Sequence, residues 1–255
     1  MSHLTYFGKI IPERAALNID GPTKTFFKYE PYGKCEATIH LYVSQLVVDF
    51  KTEIDIDDFI SAKNFISEFS QQYVDLAGFL LGVGYEMEIT SSINHLNEQV
   101  LVYGANVSVF DEDIEVRKKR FGKAKKHIGI SKYLGIALVD LRLAIRIPHD
   151  TGMYCYRVFE TILHDFCNPE ESKSKSLERM ANALQIGSGT KFKRFLGRYA
   201  GDRRHGKPIE ITGEERLAVM HRAWLLVDRY IEYLDRGRSP LPADEFPVPE
   251  FNARQ

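Results

Sequence analysis

Hydrophobic and polar positions follow two different periods along this chain, and the change of period divides it into two parts. Residues 37–50, ATIHLYVSQLVVDF, are rich in β-branched and aromatic side chains, which is typical of a strand or of one arm of a hairpin. Residues 85–90 and 98–110 alternate between apolar and polar side chains, as half-buried strands do. The first 30 residues are only weakly patterned, and we predict no element there.

One long amphipathic helix is predicted among these strands, within residues 57–82. Its apolar residues recur at helical spacing. Asp57 or Asp58 can cap the start of this helix, and Gly82 or Gly84 can end it. The first part of the chain is therefore predicted to be mixed, with strands around one helix.

From residue 131 onward the pattern is helical. Five segments show apolar residues at helical spacing or compatible composition: 131–147, 149–167, 176–186, 190–201 and 213–234. Pro148 separates the first two of these segments. Short loops between the segments predict a bundle of four or five helices with mostly antiparallel neighbours.

These patterns together predict an α+β protein in which a mixed strand and helix unit precedes an all-α bundle. The predicted organisation is a mixed unit over 1–116, a basic linker over 117–130, a helical bundle over 131–235 and a Pro-rich extended tail over 236–255.

Composition narrows the class of protein. Of the 255 residues, 44% are hydrophobic and 27% are charged, which is ordinary for a globular protein, and the longest apolar runs are too short to span a bilayer. We therefore expect a cytoplasmic protein without membrane association.

His164 and Cys167 have the spacing of two metal ligands on a helix, but no second pair accompanies them. We predict no metal ion and no cofactor.

Charge is distributed unevenly. Residues 1–116 contain 7 Lys and Arg against 18 Asp and Glu, whereas residues 117–255 contain 27 against 17. A basic second half can attract phosphates, which favours a nucleic-acid partner. Attraction between the two halves, or between subunits, explains the asymmetry equally well.

The candidate chemistry lies in residues 197–208, GRYAGDRRHGKP. Arg198 and His205 are seven residues apart, so on a continuous helix both side chains point to the same side. A neutral imidazole can act as a general base, and a neighbouring guanidinium can stabilise a phosphorane. RNA supplies its own nucleophile, the 2′-hydroxyl, so this chemistry needs no metal. The alternative is a solvated basic helix end, which complements the helix dipole.

The second part of the chain resembles the HEPN superfamily of helical bundles over roughly residues 130–235. The hallmark of these proteins is an Arg followed, after four to six residues, by a His late in the bundle. Here Arg198 is followed after six residues by His205 and then by Gly206. The segment that contains Arg157 and Glu160 is similar to the early helix pair of that superfamily.

This resemblance implies a metal-independent endoribonuclease, of a kind found in phage defence and toxin–antitoxin systems, that acts as a homodimer. Arg198 and His205 would then form the catalytic pair. The resemblance also implies roles for their neighbours. Residues expected to position the RNA backbone are Arg203, Arg204 and Lys207, and residues expected to support the site are Asp202 and Glu160.

A second hypothesis stays open beside the nuclease. The superfamily commonly has a polar residue directly after the Arg, and this chain has Tyr199 there. A catalytically degenerate bundle would act as a dimerisation module that binds a ligand or a regulatory protein partner. In a combination of the two hypotheses, the acidic first part masks the basic site until a trigger releases it.

Overall fold

Every strand in the described part of the chain lies in the first of two units, Met1–Ala105, and the second unit, Asn106–Gln255, is built from helices. The computed structural model describes residues 1–13, 15–103, 113–204 and 211–249, without the side chains of residues 114 and 202–204. This order of elements confirms the predicted α+β class.

The first unit is an antiparallel sheet. Its six strands are β1 (Ser2–Ile11), β2 (Thr23–Tyr29), β3 (Gly33–Tyr42), β4 (Gln45–Thr52), β5 (Glu86–Asn94) and β6 (Gln99–Val102). They lie in the order β2-β3-β4-β1-β5-β6, and all neighbours are antiparallel. The β3–β4 hairpin, β5 and β6 confirm the strands that alternation predicts, although residues 104–110 of the last predicted strand lie outside the described residues.

β1 and β2 fall within the first 30 residues, where the pattern predicted no element. β1 lies at the centre of the sheet between β4 and β5, and its residues Leu4, Tyr6 and Ile10 are fully buried. Gly8 interrupts this alternation. A Cβ atom at that position would lie 2.5 Å from the carbonyl oxygen of Glu88 on β5, so the close approach of the two strands requires glycine.

α1 (Phe59–Leu81) covers one face of the sheet. The Asp58 side chain accepts hydrogen bonds from the amides of Ile60 and Ser61, and the helix ends at Gly82, which has φ 66° in the left-handed region. Both ends match the predicted caps. The buried stripe of this helix packs on the inward residues of β1, β3 and β4.

The second unit is a helical bundle. Its helices are α2 (Ile114–His127), α3 (Lys132–Arg146), α4 (Thr151–Asp165), α5 (Lys173–Ala183), α6 (Gly189–Arg204) and α7 (Gly213–Asp235). α4 packs against α3, α6 and α7, and fully buried side chains such as Phe159, Ile162, Leu196 and Leu226 form the core between them. α3 to α7 match the five predicted helical segments. No helix in the described residues is both long enough and apolar enough to cross a bilayer.

The basic segment 117–130 differs from its prediction as a linker, because most of it is helix α2 packed on α7. Three cations of α2 form ion pairs with α7: Arg120 with Asp228, Lys123 with Glu232, and Lys126 with Asp235. Cations three residues apart on one helix meet carboxylates three and four residues apart on the other. Residues 117–127 therefore belong to the helical unit.

The described part of the Pro-rich tail, residues 236–249, packs on the bundle and contains turns, so it is not simply extended. The Leu241 side chain is buried, and its amide donates to the carbonyl of Ala183. The buried Arg229 guanidinium donates to the carbonyls of Phe246 and Pro247. Apolar burial and backbone hydrogen bonds thus hold a segment whose composition alone indicates an unattached tail.

Candidate functional site

α6 presents one buried face and one basic face. Phe192, Leu196 and Ala200 recur every four residues and are buried in the bundle, where Phe192 stacks on Phe159 of α4 with ring centroids 6.0 Å apart. Lys191, Arg194 and Arg198 recur at intervals of three and four residues on the exposed side. Because the apolar set lies on the buried face of α6 and the cations lie on the other face, the cations point away from the core.

A cavity of about 740 Å³ runs along this basic side. It is lined by Tyr156 of α4 and by Thr190, Lys191, Lys193, Arg194, Phe195, Gly197 and Arg198 of α6. We call Lys191, Lys193, Arg194 and Arg198 the α6 cationic surface. Four cations at one cavity create a positive potential there, which attracts anionic ligands.

The α6 cationic surface is not neutralised within the described residues. Among them, no carboxylate forms an ion pair with Lys191, Lys193, Arg194 or Arg198. The cations of α2 differ, since Arg120, Lys123 and Lys126 are paired with α7. The cations at the α6 cavity are therefore available for a phosphate, whereas three of the cations of α2 are already paired.

Arg198 is the one predicted catalytic residue that the structure describes. It is exposed at the cavity, and its guanidinium carbon lies 5.4 Å from the ring centroid of Tyr199. The Tyr199 hydroxyl donates a hydrogen bond to Glu215 Oε1 at 3.4 Å. Tyr199 therefore links the position of Arg198 to the capping box at the start of α7, in which Glu215 takes part.

The other predicted residues of the motif lie partly outside the described structure. α6 remains helical through Gly201 to Arg204, but the side chains of Asp202, Arg203 and Arg204 are outside the described part. His205 and Lys207 are outside it altogether. The pairing of Arg198 with His205 stays a prediction, as do the roles of Arg203, Arg204, Lys207 and Asp202.

Arg222 of α7 supports the cavity wall. Its guanidinium carbon lies 3.1 Å from the ring centroid of Phe195, and the side chain is buried. Burial lowers the pKa of the Arg222 guanidinium to about 10, so it remains protonated at neutral pH. Phe195 is thus held by a cation–π contact on the side of the bundle.

Glu160 and Arg157 lie on α4 and are not among the residues that line the cavity. Glu160 is half-buried, and its predicted supporting role stays a prediction. Arg157 Nη2 lies 3.1 Å from Oδ1 of Asp140, whose side chain is 1% exposed. Arg157 is therefore paired with a buried carboxyl of α3, which gives this residue a structural partner.

Asp140 provides a pH-dependent test of this pair. Burial raises the pKa of the Asp140 carboxyl, although the charge of Arg157 opposes the shift. Because the folded state binds this proton more tightly than the unfolded chain, the wild type loses stability as pH rises from about 4 through the folded-state pKa. Asp140→Asn does not titrate, so we expect its free energy of unfolding, relative to wild type, to increase between about pH 4 and pH 7.

Urea unfolding at several pH values measures this difference. The matched control is Asp244→Asn, since Asp244 is exposed in the same unit. A difference between Asp140→Asn and wild type that stays constant with pH would contradict the raised pKa.

Sequence analysis missed five residues that line the cavity: Lys191, Lys193, Arg194, Tyr156 and Phe195. A signal for two of them, Lys191 and Arg194, was present. Lys191, Arg194 and Arg198 are spaced by three and four residues, opposite the apolar stripe of the same helix. Tyr156 has no such signal, because its place at the cavity depends on the packing of α4 against α6.

Comparison with known families places both parts of the chain. Residues 4–103 match the N-terminal domain of DUF8168, a domain of unknown function, and residues 123–235 match its C-terminal domain. The two matched segments together cover most of the chain, so the chain belongs to the DUF8168 family. No curated protein and no solved structure matches it.

Proposed function

We propose that the helical unit of this DUF8168 protein binds RNA along the α6 cationic surface and cleaves it as a metal-independent endoribonuclease. One observation supports the proposal most directly. Four cations, with Arg198 among them, line a single cavity and have no carboxylate partner among the described residues. Charges left unpaired in this way bind the phosphate backbone without recognising bases.

The proposed chemistry assigns one role to each catalytic residue. His205 accepts the proton of the 2′-hydroxyl, and the 2′-oxygen attacks the adjacent phosphorus. Arg198 stabilises the negative charge of the phosphorane. The bond from phosphorus to the 5′-oxygen then breaks, and that oxygen takes up a proton from an imidazolium, that of His205 or of the second subunit of a homodimer. The products are a 2′,3′-cyclic phosphate and a 5′-hydroxyl.

The experiment that tests this function is RNA cleavage by the full chain in the presence of EDTA. We expect His205→Ala to lower the cleavage rate by at least about 100-fold, since general acid–base catalysis contributes about 10²–10⁴-fold. Arg198→Ala is expected to lower it comparably, because removing one stabilising donor costs about 10²–10³-fold. Lys125→Ala removes an exposed cation from α2 and serves as the matched control.

Two results would count against the nuclease. Cleavage by His205→Ala at the wild-type rate would show that the activity comes from elsewhere. Cleavage of a substrate whose 2′-hydroxyls are replaced by hydrogen would show that the nucleophile is not the 2′-oxygen.

A second function is a non-catalytic RNA- or partner-binding homodimer, and Tyr199 is the observation that favours it. Its ring lies beside the guanidinium of Arg198, at the position where the HEPN superfamily commonly has a polar residue. In this case wild type and His205→Ala bind RNA equally well, and neither cleaves it. The same cleavage experiment, run with a binding measurement, therefore distinguishes the two functions.

A further inference from the structure

Three potential metal ligands from distant parts of the chain meet on the first unit, on the sheet face opposite α1. Leu4 and Tyr6 of β1 point into the core with α1, so His3 and Thr5 point to the other face. Asp49 of β4 lies directly opposite Thr5 in the antiparallel register. His95 follows the last residue of β5, and its amide donates to the carbonyl of His3 at 3.0 Å.

The side chains of His3, Asp49 and His95 converge. Their ligand atoms all lie within 4.8 Å of one another. The two imidazole rings stack with centroids 4.1 Å apart, and His3 Nε2 lies 3.6 Å from Asp49 Oδ1. His3 Nε2 is buried and has no hydrogen-bond partner among the described residues. A buried ring nitrogen that makes no hydrogen bond is costly unless a ligand occupies its lone pair or its proton finds an acceptor.

We propose that His3, Asp49 and His95 form a binding site for a divalent transition-metal ion of the Zn²⁺ class. Two imidazoles and one carboxylate are a donor set that binds such ions, and it disfavours Mg²⁺ and Ca²⁺, which prefer oxygen ligands. His95 is exposed and the other two residues are half-buried, so solvent can reach the site and supply further ligands.

Thr5 holds two of the three ligands in place. Its hydroxyl donates to Asp49 Oδ1 at 2.5 Å and lies 2.7 Å from His95 Nε2. One hydroxyl that contacts both a carboxylate and an imidazole is the kind of outer contact that orients metal ligands. Thr5 is itself buried in the central strand, so the packing around it holds its hydroxyl in place.

Metal binding to the full chain, stripped with EDTA and then dialysed, tests the site. Zn²⁺ is titrated by calorimetry, and Co²⁺ by its visible absorption. We expect wild type to bind one ion per chain. His3→Gln, Asp49→Asn and His95→Gln are each expected to weaken binding by at least about 100-fold, and Thr5→Val by about 10–100-fold, the range found for outer contacts.

His40→Gln is the matched control, because His40 is an exposed histidine of β3 in the same unit and lies opposite Val47 of β4. It is expected to leave the affinity unchanged. Equal binding by wild type and the three ligand variants would overturn the proposal, as would loss of binding in His40→Gln.

A measurement on wild type alone keeps the test independent of how the variants fold. Co²⁺ added to the full chain should shift the NMR signals of the His3 and His95 rings at one equivalent, before those of His40. Simultaneous shifts of all three rings would contradict a defined site. Neither experiment involves RNA, so the metal site and the nuclease can fail separately.

Discussion

Replacing Lys191, Arg194 and Arg198 together with alanine is expected to lower the affinity for single-stranded RNA by about 10²–10³-fold at about 50 mM salt. Each cation contacting a phosphate contributes about 0.7 to the slope of log affinity against log salt concentration. The slope should therefore decrease in magnitude by about 2 in the triple variant. Fluorescence anisotropy with a labelled oligonucleotide, measured across a salt series, gives both quantities. His205→Ala can serve as the background, so that cleavage does not interfere.

The matched control removes the same charge from α2, as the triple variant Lys118→Ala, Lys119→Ala and Lys125→Ala, whose side chains are exposed. Its effect should stay under about tenfold and vanish at high salt, because screening weakens charges that do not contact the ligand. Similar losses in both triple variants would mean that RNA responds only to overall charge. The α6 cationic surface would then have no particular role.

Replacing Gly152 with alanine is expected to destabilise the helical unit by about 1–3 kcal/mol, the usual cost of overpacking. Gly152 lies in the first turn of α4, and a Cβ atom there would lie 2.4 Å from the backbone oxygen of Tyr199 on α6. A backbone atom cannot move aside as a side chain can, so α6 must shift. Since Tyr199 is adjacent to Arg198, RNA affinity should fall together with stability.

Gly135→Ala on α3 is the control, because a Cβ atom at Gly135 meets nothing within 4 Å. In a helix interior this change should stabilise the protein by about 0.5–1 kcal/mol. Urea unfolding and the anisotropy measurement check both variants. If Gly152→Ala unfolds like wild type, then α4 and α6 do not approach as closely as the structure indicates.

The periodicity of apolar residues was sufficient to predict the elements that bury one continuous face. α1, α3, α4 and α7 each have an apolar stripe at helical spacing, and the caps of α1 at Asp58 and Gly82 are local signals. β1 was not predicted because Gly8 interrupts its alternation. The reason for that glycine is the carbonyl of Glu88, eighty residues later in the chain.

The candidate site was predicted in part. Arg198 was identified from its spacing to His205, and the structure places it at a cavity with three further cations. The charge density of α2 predicted a linker, but three of its cations meet carboxylates of α7 about a hundred residues away. Local composition is similar in the two basic segments, so it cannot indicate which cations form ion pairs.

The amino-acid sequence by itself determined the type of most elements, the order of the two units and the sign of the charge in each. These properties depend on neighbouring residues and on simple sums along the chain. Only the tertiary structure decided which of the described cations form ion pairs and which histidines meet a carboxylate. His3, Asp49 and His95 come together because β1 lies between β4 and β5, and the strand order is set by packing across the whole unit, which short-range patterns do not contain.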